Sequence, residues 1–386
     1  MRFEEDAWEE STLGQICTKF DYGICAEAIE FDGKNQYIRI TDIDDETSQY
    51  LEGQKVSPSV IDENYIVNEN DILFARTGAS TGKTYLYNKK DGLLYFAGFL
   101  IRANVKDKFS AYFIYQQTKT KRYKKWIQTM SVRSGQPGIN AKEYQLFKVF
   151  YPTKCIQDKI SKFLSLIDQR IETQSKIIEK IKLFKNIISD HLLYSNQLSE
   201  FINLSYYATL KNGYTFKSSE YDSNGIYNVI TIANVTGERY IDIVGCNKIN
   251  AIPQDIQEHQ QLKNNNILIS LTGNVGRVSL CNKNNCLLNQ RVGVLEIKND
   301  NYNEFIFQCL SNKHFEKTMI LKGQGVAQLN ISKKDVENFK IPKISLDKLN
   351  QICNILNFLD KKIAIEKEIY NDYHQMKKYL LLNMFI

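Results

Sequence analysis

An internal duplication constrains this chain more than any other feature, because it requires two copies of whatever fold one half adopts. The 386-residue sequence repeats itself at a period of roughly 190 residues. The matched segments are 39–43 with 231–235, 70–78 with 265–273, 97–100 with 292–295, 113–116 with 305–308, Gly135 and 139–140 with Gly325 and 329–330, 151–152 with 341–342, and 163–168 with 355–360. Because the matches keep the same order in both halves, they indicate two copies of one unit.

Each half begins with a globular segment of mixed α/β character. Short apolar runs are separated by Gly and Asn turn residues, a pattern typical of strands. In the first half the runs cover 36–43, 71–76, 85–87 and 94–101, with a helix expected over 109–129. In the second half they cover 228–235, 267–271, 277–281 and 292–297, with a helix expected over 303–319.

A long segment without proline or glycine follows each globular segment, over 155–194 and 346–386. Its apolar residues recur at spacings of three and four, which predicts an amphipathic helix. A helix of about 40 residues is about 60 Å long and needs a partner for its apolar face. We therefore expect the two helices to form a coiled coil. The predicted contact positions are Ile160, Leu164, Ile167, Ile171, Ile178, Ile181, Ile352, Leu356, Leu359, Ile363, Tyr373 and Leu380.

The predicted fold class is α+β, with two similar mixed α/β domains alternating with two long helices. We place the first domain at 1–152 and the first spacer helix at 153–197. The second domain follows at 198–342 and the second spacer helix at 343–386.

The segment 76–84, Arg-Thr-Gly-Ala-Ser-Thr-Gly-Lys-Thr, resembles a nucleotide-binding P-loop but is one residue too short. Its counterpart, 272–278, keeps both glycines and lacks the Lys-Thr pair. We therefore expect a tight turn between two strands, in which the glycines adopt positive φ. The polar residues left available around this turn are Arg76, Thr77, Lys83, Thr272, Asn274 and Arg277.

Metal binding and catalysis are not predicted. The eight cysteines form no Cys-x-x-Cys pair and the four histidines are scattered, so we expect buried, reduced thiols rather than a metal site. No Asn-Pro-Pro-Tyr-type motif occurs, since no two of the five prolines adjoin, and carboxylates such as Asp360 are expected to cap or solvate surfaces. We therefore predict a non-catalytic chain that holds no cofactor.

A cytoplasmic location is predicted. No apolar run reaches the roughly 18 residues of a membrane span. The acidic start of the chain lacks the apolar core of a secretory signal. The net charge of +6 permits an anionic partner without requiring one.

The order domain, helix, domain, helix resembles the specificity subunit of Type I restriction-modification systems over nearly the whole chain. The motifs that carry the resemblance are Trp8-Glu-x-x-x-Leu13-Gly14, Gly78, Gly82, the segment Asn-Gly-Tyr-Thr-Phe-Lys at 212–217, Gly273, Gly276, and the helix starts at 157–171 and 350–363. The second half departs from the pattern, since Phe201-Ile-Asn-Leu204 replaces the opening tryptophan motif.

The resemblance implies that both domains are target recognition domains, each reading one half of a bipartite, asymmetric site in double-stranded DNA. It implies that the helices form an antiparallel coiled coil, set the spacing and dock two methyltransferase subunits. Those subunits would in turn recruit motor-nuclease subunits. Adenine methylation and ATP-driven cleavage would belong to these partners.

Polar side chains near the turns are the candidates for DNA contact, since Arg pairs with guanine and Asn or Gln with adenine. Scattered Lys and Arg would contact phosphates. The candidates are Arg39, Arg76, Thr77, Lys83, Arg133 and Gln136 in the first domain, and Tyr214, Lys217, Asn274, Arg277, Gln290, Arg291, Gln324 and Gln328 in the second. The basic run 119–125 is expected to be a solvated helix face.

Three alternatives remain open at this point. The chain could be the DNA-reading subunit of another bipartite-site restriction system. It could be a coiled-coil scaffold that binds no DNA. It could also be a nucleotide-binding enzyme that uses residues 78–84, which the shortened loop disfavours.

Overall fold

The computed structural model describes residues 8–45, 47–51, 53–132, 136–194, 200–323 and 329–385. The chain divides into two compact units, of which unit 1 comprises residues 1–173 and 369–386 and unit 2 comprises residues 174–368. Each unit therefore contains one globular domain together with a part of both long helices.

The first half of the chain alternates short strands and short helices before it enters a long helix. Its elements are β1 (Glu9–Thr12), α1 (Leu13–Ile16), β2 (Cys17–Tyr22), β3 (Ala28–Glu30), β4 (Gln36–Ile38), β5 (Val56–Pro58), β6 (Asp71–Ala75), β7 (Thr84–Leu86), β8 (Leu94–Phe96), β9 (Leu100–Val105), α2 (Ala111–Gln117), α3 (Lys121–Met130), α4 (Ala141–Gln145), β10 (Lys148–Tyr151) and α5 (Lys154–Tyr194).

The main sheet of unit 1 is antiparallel, with the strand order β2-β9-β6-β7. Smaller pairs are formed by β1 with β10, β3 with β5 and β4 with β8. Strand β6 is apolar almost throughout because both of its faces are buried. Ile72 and Phe74 belong to the core that includes the helices, whereas Leu73 and Ala75 belong to a second core on the opposite face.

The second half repeats this arrangement. Its elements are β11 (Phe201–Asn203), β12 (Ala208–Asn212), β13 (Tyr227–Ile230), β14 (Asn247–Ile249), β15 (Gln261–Leu262), β16 (Ile267–Ser270), β17 (Val278–Leu280), β18 (Cys286–Leu288), β19 (Val292–Ile297), α6 (Asn303–Leu310), α7 (Lys313–Gly323), α8 (Lys333–Glu337), β20 (Lys340–Pro342) and α9 (Leu346–Asn383). The sheet β12-β19-β16-β17 corresponds to the main sheet of unit 1, and a second sheet has the order β14-β13-β18-β15.

Several predicted elements are shorter than the sequence pattern indicated or are divided. The run 36–43 is a strand only as far as Ile38, because the carboxylate of Asp42 accepts the backbone N–H of Arg39 and turns the chain. The helix expected over 109–129 is divided into α2 and α3. The Thr118 hydroxyl donates to a backbone carbonyl at the end of α2, and the Thr120 hydroxyl caps the start of α3.

The helix expected over 303–319 is divided in the same way, into α6 and α7. Between them the Asn312 side chain accepts the backbone N–H of His314, which favours a new helix start.

Two of the matched segments are out of register. Leu73 pairs with Arg102 in unit 1, whereas the equivalent Leu268 pairs with Val294 in unit 2. Leu100 is therefore equivalent to Val292 rather than to Leu295, and the match of 97–100 with 292–295 is wrong by three residues. The counterpart of Ala97 is Asn289. Ala97 forms an isolated β-bridge with Ile24, the residue after Gly23, and Asn289 forms one with Tyr214, the residue after Gly213.

The match of 139–140 with 329–330 is wrong by two residues. Ile139 donates its backbone N–H to the residue after β6, and Ile331 does the same after β16. Ile139 is therefore equivalent to Ile331. Gly135 and Gly325 lie outside the described residues.

The apolar faces of the long helices are buried largely against the globular domains. Ile160, Leu164, Ile167 and Ile171 belong to the main core of unit 1, where Tyr373 and Leu380 are partly buried. Ile352 and Leu356 belong to the main core of unit 2. Leu359 and Ile363 are also buried, while Ile178 and Ile181 are half-buried. The sequence pattern predicted that the apolar faces of the two helices pack against each other. In the structure these faces also pack against the globular domains.

Within unit 2 the two long helices run antiparallel. The Gln174 side chain of α5 donates to the backbone carbonyl of Glu366 on α9, 3.1 Å away. Further along α5, the Lys185 ammonium lies 2.5 Å from the carboxylate of Asp360. Residue numbers thus rise along α5 as they fall along α9, which agrees with the implied antiparallel pair.

Asp360 neither caps a helix nor faces solvent, so the expectation for this carboxylate is wrong. Its side chain is 10% exposed and pairs with Lys185 and with Arg239, 2.8 Å away. The equivalent Asp168 in unit 1 accepts the Tyr112 hydroxyl and pairs with Lys377 at 2.6 Å. Each carboxylate thus joins a long helix to its domain and to the other long helix.

Candidate nucleic-acid interface

The glycine segment of unit 1 connects two antiparallel strands, as the sequence analysis predicted. Gly78 and Gly82 have φ of +75° and +89°, which favours glycine over residues with a Cβ. A Cβ on Gly82 would lie 2.7 Å from the Ile127 side chain of α3, so the turn is held close against this helix. The chain then enters strand β7 rather than a helix, which is not the geometry of a P-loop.

Unit 2 has the same turn with one residue fewer. Gly273 and Gly276 have φ of +70° and +77°, and a Cβ on Gly276 would lie 2.8 Å from Met319 of α7. The second glycine donates its backbone N–H to the last residue of the preceding strand in both units. The repeated glycines are therefore explained by turn geometry and by close packing against a helix.

Arg76 of unit 1 lies directly before the turn and among exposed aromatic side chains. Its guanidinium lies 4.9 Å from the centroid of the Tyr22 ring, and its backbone N–H donates to the carbonyl of Phe99 at 3.0 Å. Tyr22 is 42% exposed and Phe99 is 62% exposed. The Gln136 amide lies 3.1 Å from the position of a Cβ on Gly78. Arg76, Thr77 and Gln136 thus lie at one turn, where the Tyr22 ring packs against the Arg76 guanidinium.

Unit 2 builds the equivalent surface from different residues. Leu271 takes the place of Arg76 and donates its backbone N–H to Arg291, which takes the place of Phe99. Gln290 and Arg291 are exposed, and the Gln290 side chain accepts the Thr215 hydroxyl at 2.7 Å. The arginine of this junction therefore comes from the strand connection before β19 rather than from the glycine turn.

Tyr214 lies beside this surface in unit 2. Its backbone carbonyl accepts the N–H of Gln290 at 2.9 Å. Its hydroxyl donates to the Asp255 carboxylate at 2.8 Å, and this hydrogen bond raises the pKa of Tyr214. Lys217 and Asn274 are exposed on the same domain.

Three predicted DNA contacts are held in ion pairs within their own unit. Arg39 is paired with Asp42, and this hydrogen bond raises the pKa of the guanidinium. The Lys83 ammonium is 2.9 Å from the carbonyl of Ile43 and 2.5 Å from Asp45, and its side chain is 12% exposed. Arg277 makes a looser pair with Glu316, at 3.8 Å. Arg133, Gln324 and Gln328 lie outside the described residues.

The basic run 119–125 is not a uniform solvated face. Lys119 donates to the Thr84 hydroxyl at 2.7 Å, and burial keeps the pKa of its ammonium well below the ordinary value. Arg122 stacks over the Phe150 ring at 4.4 Å. Lys121, Lys124 and Lys125 are exposed, as expected of a surface helix.

Tyr22, Phe99 and Thr215 are site residues that the sequence analysis missed. The signal was the glycine of the Asn-Gly-Tyr-Thr-Phe-Lys segment, which was noted only in the second half. A Cβ on Gly213 would lie 2.2 Å from the Asn289 carbonyl, and one on Gly23 would lie 2.1 Å from the Ala97 carbonyl. Gly23 and Gly213 are therefore equivalent, and Tyr22, which directly precedes Gly23, lies at the edge of the site.

The cysteines differ in part from the prediction of buried thiols. Cys17, Cys281, Cys286, Cys309 and Cys353 are buried, whereas Cys25 and Cys155 are exposed and Cys246 is half-buried. Among the described residues, no group of His, Cys, Asp and Glu is arranged to hold a metal ion. No helix in this part of the chain is long and apolar enough to cross a membrane.

Comparison with known proteins identifies the repeated unit. The family model of the Type I restriction modification DNA specificity domain matches the chain twice, over residues 5–183 and 196–372. The Type I restriction enzyme MjaVIII specificity subunit of Methanocaldococcus jannaschii is 24% identical over 354 residues, which is 83% of this chain and 80% of that protein. The putative MjaX specificity subunit of the same organism is 25% identical over 339 residues, or 81% of this chain and 76% of that protein.

Two solved structures share the fold. The S subunit of a Type I restriction-modification system from M. genitalium aligns with a TM-score of 0.60 and 17% identity, covering 100% of this chain and 98% of that one. A chain from a structure of Type I restriction-modification complex assembly and conformational transition aligns with a TM-score of 0.54 and 13% identity, covering 99% and 98%.

Proposed function

Because the chain belongs to the Type I restriction-modification DNA specificity family and carries the family's domain twice, we propose that each copy reads one half of a bipartite, asymmetric site in double-stranded DNA. The observation that carries this proposal is the pair of equivalent but chemically different surfaces. The Arg76 guanidinium lies over the Tyr22 ring in unit 1, whereas Arg291 and Gln290 occupy the corresponding junction in unit 2. Different donors at equivalent positions suit two different half-sites.

Residues that form no ion pair within the described part of the chain are the stronger candidates for base contact. Arg76, Gln136, Gln290 and Arg291 combine exposed or half-buried side chains with placement beside a glycine turn or the facing strand connection. Arg can donate two hydrogen bonds to guanine, and Gln can pair with adenine in the same bidentate manner. Arg39 and Lys83 would first have to leave their carboxylate partners, so we assign them a lesser role.

The long helices are proposed to dock two methyltransferase subunits. Four of the apolar side chains that unit 1 exposes on these helices have exposed apolar counterparts at the equivalent positions in unit 2. They are Phe163, Leu166, Met376 and Tyr379 in unit 1, and Ile355, Phe358, Phe184 and Ile187 in unit 2. Exposed apolar side chains that recur in two copies suit two copies of one protein partner.

Catalysis is proposed to reside in the partner subunits. The methyltransferases would modify adenine and recruit the motor-nuclease subunits, while this chain supplies sequence recognition in the cytoplasm. Helices of 41 and 38 residues, roughly 60 Å long, would set the number of unread base pairs between the half-sites.

The alternatives left open by the sequence are weakened. A scaffold that binds no DNA does not account for two copies of a DNA specificity domain. A nucleotide-binding enzyme does not account for a glycine turn that leads into a strand. Another bipartite-site system would use the same recognition, and it differs in how its catalytic subunits are organised.

Methylome sequencing tests the proposal. The chain is expressed together with its methyltransferase partner in a host that lacks adenine methylation, and modified adenines are mapped. We expect one bipartite, asymmetric motif with a fixed spacer. A continuous motif, or methylation without any motif, would contradict the proposal.

A further inference from the structure

A loop of the second recognition domain, residues 236–240, contacts both long helices within unit 2. The Glu238 carboxylate accepts hydrogen bonds from Lys182 of α5 at 2.8 Å and from Lys367 of α9 at 2.6 Å. Burial opposes the charge of this carboxylate, but the two ammonium groups outweigh it and lower the pKa of Glu238. One side chain of the domain thus joins both helices.

The next residue of the loop, Arg239, makes a second connection to the helices. Its guanidinium donates two hydrogen bonds to Glu304 of α6, at 2.9 and 2.7 Å, and a third to Asp360 of α9, at 2.8 Å. Asp360 also pairs with Lys185 of α5. A planar guanidinium that binds two carboxylates fixes direction as well as distance.

In unit 1 the carboxylate equivalent to Asp360, Asp168, is bound without an arginine. At the position equivalent to Glu304 unit 1 has Tyr112, whose hydroxyl donates to Asp168 at 2.5 Å. An ionised glutamate cannot donate such a hydrogen bond. In unit 2 the carboxylates of Glu304 and Asp360 lie close together, and Arg239 binds both of them. Among the described residues of unit 1, no arginine forms a salt bridge with Asp168.

The other side of the loop contacts strand β17, which follows the reading turn, the glycine turn at residues 273–276. The Arg239 carbonyl accepts the backbone N–H of Leu280 at 2.7 Å, and Ile241 donates to the Leu280 carbonyl at 3.1 Å. Leu280 ends β17, the strand that follows the glycine turn. A Cβ on Gly237 would lie 3.8 Å from the Arg277 side chain at the end of that turn. The loop thus contacts both long helices on one side, and on the other side it contacts strand β17 and lies beside Arg277, the residue after the glycine turn.

We propose that Glu238 and Arg239 are positioning residues that fix the reading turn of the second domain relative to both long helices, and so restrict the number of base pairs allowed between the half-sites. The inference rests on the proposed function. Each added base pair moves a half-site by about 3.4 Å and rotates it by about 34°. A domain held to the helices at two anchored side chains resists that rotation.

The test compares spacer lengths in methylomes of complete complexes that contain wild-type or variant chains. Arg239→Gln is expected to raise the share of methylated sites with a spacer one base pair longer or shorter by at least about tenfold, because the loss of a single charge-assisted hydrogen bond already corresponds to about that factor. The bases of both half-sites should stay the same. Glu238→Gln, at a more exposed side chain, should act in the same direction with a smaller effect.

A double variant separates positioning from charge balance. Arg239→Gln combined with Glu304→Tyr recreates the tyrosine–aspartate contact of unit 1, so it should restore the stability lost by Arg239→Gln while the spacer stays relaxed. Lys263→Gln breaks an exposed ion pair with Glu258 elsewhere in the same domain and is the matched control. It should keep the wild-type spacer.

Each outcome overturns the inference, supports it, or tests the proposed function. A single wild-type spacer in every variant that assembles would overturn the inference, and so would full recovery of the wild-type spacer by the double variant. A relaxed spacer in the double variant and in Glu238→Gln supports it. If the wild-type complex showed no bipartite motif, the proposed function itself would fail, and this result is separate from the other two.

Discussion

At the residue scale, each domain places an arginine at the junction between its glycine turn and the neighbouring strand connection, but at different positions. Arg76 lies at the start of the turn in unit 1, and Arg291 lies on the strand connection in unit 2. In each unit a backbone hydrogen bond joins the turn position to the strand-connection position. The two arginines therefore occupy equivalent junctions, Arg76 on the turn side in unit 1 and Arg291 on the strand-connection side in unit 2. This difference gives a direct reason for two different half-sites.

Replacing either arginine by alanine should affect one half-site only. Arg76→Ala is expected to reduce discrimination at one base position by about 1–3 kcal/mol, because a bidentate contact to a base edge is lost. Arg291→Ala should do the same in the other half-site. The measurement is the methylation rate on duplexes that carry each single base change. Each variant serves as the control for the other, and a loss spread evenly over both half-sites would contradict this assignment.

At the element scale, the long helices and the glycine turns could be predicted, because their signals are local. Helical periodicity and the absence of proline and glycine predicted α5 and α9. Positive φ at the turn glycines followed from the repeat. The breaks between α2 and α3 and between α6 and α7 were missed, since Thr118, Thr120 and Asn312 act through single capping contacts that leave no periodic signal.

Contacts between distant residues were harder to predict. Lys83 looked free in sequence, but its ammonium is held by Asp45 and by the carbonyl of Ile43. The predicted match of the β19 segment with the first half was wrong because Gly98 and Gly293 were aligned by residue type. The pairing of the strands instead makes Ala97 equivalent to Asn289.

The contact between the two long helices at Asp360 should contribute strongly to stability. Asp360→Ala would leave the Lys185 ammonium without this carboxylate partner in a poorly hydrated site and would remove one of the two carboxylates that bind Arg239, at a cost of about 3 kcal/mol. The exposed Lys182→Met change on α5 should cost less than about 1 kcal/mol. Chemical denaturation measures both free energies of unfolding. Equal costs for the two variants would contradict the buried role of Asp360.

At the scale of the whole molecule, the duplication predicts two equivalent docking sites. Phe163→Glu with Leu166→Glu should remove one methyltransferase subunit from the complex, because charged groups replace exposed apolar contacts. The equivalent Ile355→Glu with Phe358→Glu should remove the other. Native mass spectrometry counts the subunits, and circular dichroism checks that the helices remain folded. Two bound methyltransferases with all four residues changed would exclude these surfaces.

The central claim is that each recognition domain reads its half-site independently, and exchange of one domain tests it most directly. Residues 1–152 are replaced by the corresponding domain of another family member, and the methylome of the assembled complex is sequenced. We predict that one half of the motif changes, while the other half and the spacer length stay the same. A change in both halves, or in neither, would contradict the account.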